Sequence, residues 1–403
     1  MALPTTSVPA HVPPDLVKFF DFRTGLGDRP HEVIGKLHEG PPIFYSPRHH
    51  HAEHGAGTWI PTRAADIRRI LQDPATFSSK GVTARTKEVG RWSLIPLELD
   101  PPDHTKFRTL LNPLFSPSRV IAMMETMRAR AVALIDDLLE SDSCDFIEDF
   151  AQKFPTAIFV DLMGLPSDET KQFIIWEHAM LGGDPTAKME ATKAVIQYLK
   201  DLMTIRRKQP RDDVISFVVS AKIDGRPLTD DELIGIGYLL FIGGLDTVAS
   251  SLGWHFRHLA EHPANQSRLR SEPRLVPNAV EELLRAYAVV NPSRFATQDV
   301  DVAGVTIKKG DNVTCSTILA GRDPAVFDNP TVVNLERTSH RHDSFSAGPH
   351  RCIGAHLARR ELAIAFEEWL QRVPEFHVVP GAKVTAHGGG VVGLDSLPLR
   401  WQH

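Results

Sequence analysis

The sequence predicts a mainly α-helical fold with small β-sheets, formed by one domain that spans residues 1–403. Apolar residues recur at helical spacing over most of the segments 104–139 and 145–260. Short alternating patterns, which favour strands, lie at 296–315 and 376–401. No repeat, low-complexity tract or long linker divides the sequence, so a single α-rich body is expected.

The first predicted elements are a strand and a short helix. Trp59-Ile60-Pro61 follows a glycine-rich segment and is predicted to form a strand of a small sheet. Thr62 is expected to cap a helix that ends near Leu71, before an Asp-Pro pair. The stretch 77–102 has neither a helical nor a strand pattern. Loops of that length inside a compact domain usually serve a function.

Two longer helical segments follow. One covers residues 104–139 and is broken near Pro113, because proline removes a backbone donor from a helix. The other begins at Thr229, which forms a capping box with Glu232, and continues to about Leu259.

Composition and charge exclude several classes of protein. The net charge of −5 does not suggest a nucleic-acid partner. The three cysteines are an odd, sparse set, which indicates a reducing compartment rather than a disulfide framework. The N-terminus lacks a basic region followed by an apolar stretch, and the most apolar run, 234–245, is too short to span a bilayer. We therefore expect a soluble, cytoplasmic protein without a membrane segment.

One cysteine carries the most specific pattern in the chain. It occurs in Phe345-Ser-Ala-Gly348-Pro-His350-Arg-Cys352-Ile-Gly354, directly before an apolar-periodic helix. The free N–H groups and positive dipole at a helix start favour a thiolate, and the two glycines let a flat ligand approach the backbone. A lone cysteine is more often a small buried apolar residue. The complete string is far more specific than the cysteine alone.

The longest predicted helix has residues at its centre that helices disfavour. Gly243 and Gly244 are followed by Asp246 and Thr247. A core helix softened by glycine, with the aspartate in an ion pair, would explain them without a function. An acid beside an alcohol is also the arrangement that delivers protons to a reacting oxygen.

The cysteine string resembles the haem-binding motif of the cytochrome P450 family. The resemblance extends from Trp59 to Trp401 and is especially close to the camphor 5-monooxygenase branch at 243–248, at 99–102 and at 308–311. It implies a triangular, mainly helical fold with haem b held between a long central helix and the cysteine loop. Such a thiolate favours cleavage of the O–O bond of bound oxygen.

The resemblance also implies roles for individual residues. Cys352 would be the axial ligand of the haem iron, in a loop where Phe345, Gly348 and Gly354 contact the cofactor. Gly243 would let the central helix pass close to the haem, where Thr247 donates to oxygen and Asp246 relays protons.

Four basic residues are candidates for binding the two haem propionates. His104 and Arg108 lie one turn apart at a helix start, and Arg108 suits a bidentate hold on a carboxylate. A solvated helix start would account for both equally well. Arg294 and His350 complete the predicted set. Glu282-Leu-Leu-Arg matches a structural motif of the family and receives no catalytic role.

The long loop and the pocket candidates bear on the substrate. In the alignment with the camphor enzyme, Trp92 stands where a tyrosine holds the substrate ketone, and Thr83 replaces a phenylalanine of the pocket. The remaining candidates for substrate contact are Leu239, Ile242, Gly243, Val290 and Val391. A mainly apolar lining favours a small cyclic lipophile. A monoterpenoid or norisoprenoid ketone is expected, and camphor itself is not favoured.

The resemblance implies partners as well. Electrons would come from a [2Fe–2S] ferredoxin that docks over the cysteine and is reduced by an NADH-dependent reductase. Arg68, Arg69 and Arg108 are candidates for its positive docking patch, although scattered solvated arginines would look the same. Oxygen and the substrate are the other partners, and the protein is expected to be a monomer.

Other functions remain as alternatives. A non-catalytic haem sensor or ligand-binding protein would keep Cys352 without needing Asp246 and Thr247. A haem-thiolate isomerase or a peroxide-driven enzyme would not need that pair either. The histidine run 49–51 with His54 resembles a metal site, but a surface loop without ordered supporting residues is the favoured interpretation.

Overall fold

The computed structural model describes residues 8–48, 57–82, 92–182, 184–338 and 341–402. Helices dominate them, as predicted. The helices include α1 (Pro30–Gly35), α2 (Ala64–Gln72), α3 (Asp103–Leu111), α4 (Pro117–Leu138), α5 (Lys153–Leu162), α6 (Thr170–Gly182), α7 (Pro185–Lys208), α8 (Val214–Ser220), α9 (Asp230–Gly244), α10 (Asp246–Glu261), α11 (Pro263–Ser271), α12 (Val276–Ala286), α13 (Thr317–Gly321) and α14 (Ala355–Arg372).

Small sheets accompany the helices. The strands include β1 (Ile43–Ser46), β2 (Thr58–Pro61), β3 (Phe77–Ser78), β4 (Ser143–Asp145), β5 (Lys222–Ile223), β6 (Arg226–Pro227), β7 (Ser293–Ala296), β8 (Val300–Val302), β9 (Val305–Ile307), β10 (Asn312–Thr314), β11 (Phe376–Val378), β12 (Thr385–His387), β13 (Gly393–Ser396) and β14 (Pro398–Trp401). A five-stranded sheet has the order β1-β2-β10-β7-β3, and a three-stranded sheet has the order β11-β14-β4. The predicted strand segments are thereby confirmed.

The helix that follows β2 is present, but its predicted cap is wrong. The N-cap position of α2 is occupied by Arg63, and no side chain caps the helix. The hydroxyl of Thr62 donates instead to the carbonyl of Pro41 at 2.9 Å. The backbone N–H of Ala64 is satisfied by the carboxylate of Asp323 at 2.7 Å, a residue distant in sequence. A tertiary contact has replaced the local cap.

The long central helix is interrupted, in contrast to the continuous helix that was predicted. The capping box of Thr229 and Glu232 starts α9 as expected. The helix then breaks at Leu245, where φ is −92° and ψ is −68°, and α10 starts at the next residue. The preceding glycines weaken the helix, and the hydroxyl of Thr247 donates to the carbonyl of Gly243 at 3.1 Å.

This central segment is also the one stretch of the described residues long and apolar enough to cross a membrane, Asp230–Glu261. Its most apolar window is 61% buried inside the protein. Burial among the other helices is typical of a core helix.

An aromatic cluster fixes α14, the helix that follows the cysteine loop. Trp369 is fully buried and meets the rings of Phe146, Phe150 and Phe256 edge-on, at centroid separations of 5.0, 5.3 and 5.4 Å. Each such pair contributes roughly 0.5–1.5 kcal/mol beyond its buried area. The cluster therefore anchors the element that carries the loop.

A buried ion pair on α12 fixes the chain ahead of the same loop. Arg285 makes two 2.8 Å hydrogen bonds to Glu282, and both side chains are fully buried. The guanidinium also donates to the carbonyls of Gly321 and Pro330, at 2.7 and 2.8 Å. Arg337 adds a second cation to Glu282 at 2.9 Å. These bonds tie α12 to α13 and to the segment 330–337.

We expect Glu282→Ala to lower the free energy of unfolding by about 3–5 kcal/mol, because it leaves the buried charge of Arg285 without its carboxylate. Chemical denaturation monitored by circular dichroism measures this. Glu336→Ala is the control, since that exposed partner of Arg268 should contribute under about 1 kcal/mol. Equal losses in the two variants would contradict the expectation.

Candidate active site

The cysteine loop is held by its own backbone. The N–H of Cys352 donates to the carbonyl of Phe345 at 2.8 Å, and the N–H of Arg351 donates to Gly348 at 3.1 Å. Gly348 has a φ of +67°, and a Cβ there would collide with the carbonyl of Leu71. Glycine is therefore required at this position by both its backbone conformation and its contact with α2.

The sulfur of Cys352 lies among positive charges. Burial raises the pKa of the Cys352 thiol, while a hydrogen bond from the N–H of Gly354 and the charges of Arg108, Arg351 and Arg359 oppose that rise. Donors and cations of this kind stabilise a thiolate once a metal cation compensates for burial. Cys352 is accessible although the surrounding protein desolvates its sulfur, and the two facts together indicate an internal space beside the sulfur.

The central helix is exposed at the point where it is interrupted. Gly243 and Gly244 are exposed, although Phe241 and Leu245 on either side are buried. A Cβ on Gly243 would meet no atom within 4 Å. Exposed backbone in the middle of a core helix shows that the helix borders an open space there.

Four basic side chains from three segments converge near the cysteine loop, namely His104 and Arg108 of α3, Arg294 of β7 and His350. Both ring nitrogens of His104 and Nε2 of His350 are buried without a hydrogen-bond partner among the described residues. Their rings lie 4.3 Å apart. Burial, followed by the charge of Arg294, lowers the pKa of His350 to about 3, and Arg108 contributes to the same shift. Burial also lowers the pKa of Arg294, whose Nη1 donates to the carbonyl of Ser293 at 2.7 Å.

Unpartnered donors of this kind are costly unless a ligand satisfies them. A cluster of two arginines and two histidines suits carboxylates. The cysteine sulfur can bind a metal, and the two glycines leave room for a flat group beside the central helix. Together with the basic cluster, these features fit a flat, metal-containing group that carries carboxylates. The fold and the site therefore define a thiolate-ligated haem protein.

Comparisons with known proteins place the chain in a family. A sequence model described as Cytochrome P450 matches residues 172–386. Probable cytochrome P450 127A1 of Sinorhizobium fredii (strain NBRC 101917 / NGR234) is 44% identical over 98% of this chain and 97% of its own length. The polyketide biosynthesis cytochrome P450 PksS of Bacillus subtilis (strain 168) is 32% identical over 92% of this chain and 95% of its own length.

Solved structures agree. The crystal structure of cytochrome P450 CYP101C1 matches with a TM-score of 0.90 and 36% identity, covering 98% of this chain and all of that one. CYP101J2 matches with a TM-score of 0.88 and 31% identity over 99% of this chain and all of its own. Both belong to the camphor-type branch. The chain is a member of the cytochrome P450 monooxygenase family and binds haem b.

The predicted substrate residues lie in two groups. Val290 and Val391 form an isolated antiparallel bridge and are therefore neighbours. Leu239 and Ile242 are half-buried on α9. Trp92 is buried against Tyr238 of the same helix, with ring centroids 5.1 Å apart. The predicted residue Thr83 lies outside the described residues.

The surroundings of Asp246 include groups that the sequence did not indicate. Ser250 donates to Oδ1 of Asp246 at 3.2 Å. Glu177 of α6 is buried, and burial together with the charge of Asp246 raises the pKa of its carboxyl well above the usual range. The negative charge of Asp246 also raises the pKa of His387 on β12. Their sequence positions carry no motif, so only the fold could reveal them.

The histidine run 49–51 with His54 lies outside the described residues. Among the residues that are described, no group of three or more histidine, cysteine or acidic side chains has the arrangement of a metal site.

We expect Arg294→Met to accelerate haem loss roughly ten- to hundredfold, because a charge-assisted hydrogen bond contributes about 1.5–3 kcal/mol. Transfer of haem to excess apomyoglobin measures the rate. Arg322→Met is the matched control, since Arg322 is also buried but donates to backbone carbonyls of Ala286 and His31. A similar acceleration in both variants would contradict a role of Arg294 at a propionate.

Proposed function

We propose that this protein inserts one oxygen atom into a C–H bond of a small cyclic lipophilic ketone, of the monoterpenoid or norisoprenoid class. The observation that carries the proposal is the open space at Gly243, bordered by the Asp246–Thr247 pair. A helix opened at that point gives oxygen and substrate room beside an acid and an alcohol. The chain would act as one domain, as a monomer in the cytoplasm.

The haem, when bound through Cys352, supplies the activation of dioxygen. The protein then has to supply protons at the distal side. Asp246 and Thr247 occupy the first turn of α10, directly after the break at Leu245. The single hydroxyl proton of Thr247 is donated to the carbonyl of Gly243 here, and rotation about the Cβ–Oγ1 bond would turn it toward the open space. We assign proton relay to Asp246 and proton donation to Thr247.

Residues around the cofactor complete the assignment. His104, Arg108, Arg294 and His350 would bind the propionates. The two histidines supply the unpartnered nitrogens described above, and the two arginines supply positive charge beside them. Phe345 supports the loop by accepting from Cys352 and by lying under the guanidinium of Arg359 at 4.4 Å. Gly348 and Gly354 would let the macrocycle approach the loop backbone.

The apolar lining supports a lipophilic substrate. Leu239, Ile242, Val290 and Val391 offer no hydrogen-bonding side chain, and Trp92 offers only its indole N–H. Trp92 packs on Tyr238, and a Cβ on the neighbouring Gly235 would collide with the carbonyl of Ser93. The loop is thereby fixed against α9 at this point. A donor in this position differs from the phenol of the camphor enzyme, which disfavours camphor.

An electron donor would dock near Cys352. Arg351 and Arg360 are exposed there. The charges of Arg108 and Arg351 lower the pKa of the Cys352 thiol, so both lie near the sulfur. Arg68 is less available than its sequence position suggested, because it forms a 2.8 Å ion pair with Asp343 of the cysteine loop. Arg69 donates to the carbonyl of Asp301. A positive surface of this kind suits an acidic [2Fe–2S] ferredoxin, reduced by an NADH-dependent reductase.

The second candidate function is a non-catalytic haem sensor. A sensor would have no need of the acid–alcohol pair or of the open space beside it. Substrate-dependent NADH oxidation with product formation, driven by a ferredoxin and its reductase, would separate the two functions.

We expect Thr247→Ala to uncouple oxygen use from product, because the donated proton is lost. Product formed per NADH should fall about tenfold or more, with peroxide released in its place. Product and peroxide are measured together at fixed NADH consumption. Thr247→Ser, which keeps the hydroxyl, should stay close to the wild type. Full coupling in the alanine variant would remove the proposed role of Thr247.

A titration of the ferric protein tests the substrate class. An ionone-type ketone is expected to shift the haem from low to high spin strongly, and camphor only weakly. Trp92→Tyr restores a phenol and should strengthen the camphor response. Trp176→Tyr is the control, since Trp176 packs against Phe173 and Tyr198 elsewhere in the same apolar cluster. A strong camphor shift in the wild type would contradict the assignment of Trp92.

A further inference from the structure

Asp246 belongs to a chain of polar groups that leads away from Thr247. Ser250 lies one helical turn further along α10, and its hydroxyl donates to Oδ1 of Asp246 at 3.2 Å. The hydroxyl of Ser250 in turn lies against Gly393 of β13. The carboxylate is therefore connected to the C-terminal hairpin formed by β12 and β13.

Gly393 brings a histidine close to Ser250. A Cβ on Gly393 would lie 2.7 Å from Nε2 of His387 and closer still to Oγ of Ser250. The imidazole and the hydroxyl therefore both pack against the backbone of Gly393, and Nε2 and Oγ are at most about 5 Å apart. One water molecule can bridge such a separation. A side chain at position 393 would push the two groups apart, so glycine permits this approach.

His387 has the properties of a proton carrier. Its Nδ1 is hydrogen-bonded to Oδ1 of Asp395 at 2.7 Å, and its Nε2 is buried without a partner among the described residues. Burial disfavours the charged ring, but the hydrogen bond with Asp395 and the charge of Asp246 raise the pKa of His387 above its usual value. Such an imidazole keeps its second proton to a higher pH than a free histidine does.

The same histidine reaches the surface. It lines a cavity of about 580 Å³ between the segments 23–28 and 382–388. The carboxylate of its partner Asp395 is 53% exposed. Solvent therefore lies on one side of the imidazole, and the hydroxyl of Ser250 lies on the other.

We propose that His387 and Ser250 form the route by which protons from solvent reach Asp246. The inference rests on the proposed function, since protons are needed at Asp246 only if the protein reduces oxygen. In this route His387 is a positioning and relay residue outside the haem site.

The proton balance is simple. The imidazolium of His387 releases the proton on Nε2 toward Oγ of Ser250, directly or through one water. Ser250 releases its own hydroxyl proton to Oδ1 of Asp246. The neutral imidazole keeps the Nδ1 proton that Asp395 binds, and Nε2 regains a proton from water of the surface cavity when the ring turns toward it, so the protein returns to its starting state.

Glu177 offers a rival route. It is buried, its Oε2 has no partner among the described residues, and the charge of Asp246 acts on it. However, a carboxyl that is buried on α6 has no solvent beside it from which to regain a proton. His387, which lines a cavity, is therefore favoured as the source.

The first test measures the link between His387 and Asp246 without turnover. In ¹³C-histidine-labelled holoenzyme, kept in the diamagnetic ferrous carbonyl form, the ring signal of His387 is assigned by its loss in His387→Gln and titrated with pH. Asp246→Asn should lower the pKa of His387, and the half-buried control His377 of β11 should not change. An unchanged pKa of His387 would overturn the proposal.

The second test measures turnover with a surrogate [2Fe–2S] ferredoxin, its NADH-dependent reductase and the ketone that gives the strongest spin shift. His387→Gln and Ser250→Ala should each slow NADH oxidation about tenfold and increase the solvent deuterium isotope effect, at unchanged haem content. His377→Gln should match the wild type.

The outcomes separate the two hypotheses. Wild-type rates and isotope effects in both variants would overturn the route and leave the proposed function intact. If Glu177→Gln alone slows NADH oxidation, the protons pass through α6, and the proposed route through His387 is overturned as well. Absence of substrate-dependent NADH oxidation in the wild type, with intact haem, would instead count against the proposed function.

Discussion

The structure depends on the buried ion pair between Glu282 and Arg285. Two buried charges are stable only when every hydrogen-bonding position is filled, and Arg285 meets that condition by donating to carbonyls of α13 and of the segment 330–332. Those carbonyls lie on the chain that leads to the cysteine loop. The desolvation cost of the pair thereby selects one path for that chain, and the position of Cys352 follows from it.

The site leaves room where the core is otherwise filled. Gly243 and Gly244 are exposed between the buried residues Phe241 and Leu245, and Cys352 is exposed as well. His104 and His350 keep unsatisfied nitrogens. A protein without a cofactor would bear the cost of these groups with no compensation. The haem propionates would supply the missing partners, so we expect cofactor retention and folding to be linked in this protein.

Much of the fold was predictable because its determinants are local. The break near Pro113, the capping box at Thr229 and the strands after Pro292 each depend on residues close in sequence. Two errors have tertiary causes. Asp323 replaces Thr62 at the start of α2, and the helix predicted as continuous opens at Leu245 where it borders the site. The loop residue Thr83 lies outside the described residues, so its role stays a prediction.

The sequence by itself indicated the groups to which we assign the chemistry. The sulfur of Cys352 and the acid–alcohol pair at 246–247 occur in short strings whose spacing is tied to one kind of chemistry. Only the tertiary structure decided which groups surround them. The cluster of His104, Arg294 and His350, and the path from Asp246 through Ser250 to His387, join segments that are distant in the chain. Such contacts depend on how helices and hairpins pack against one another, and the spacing of residues within one segment does not predict them.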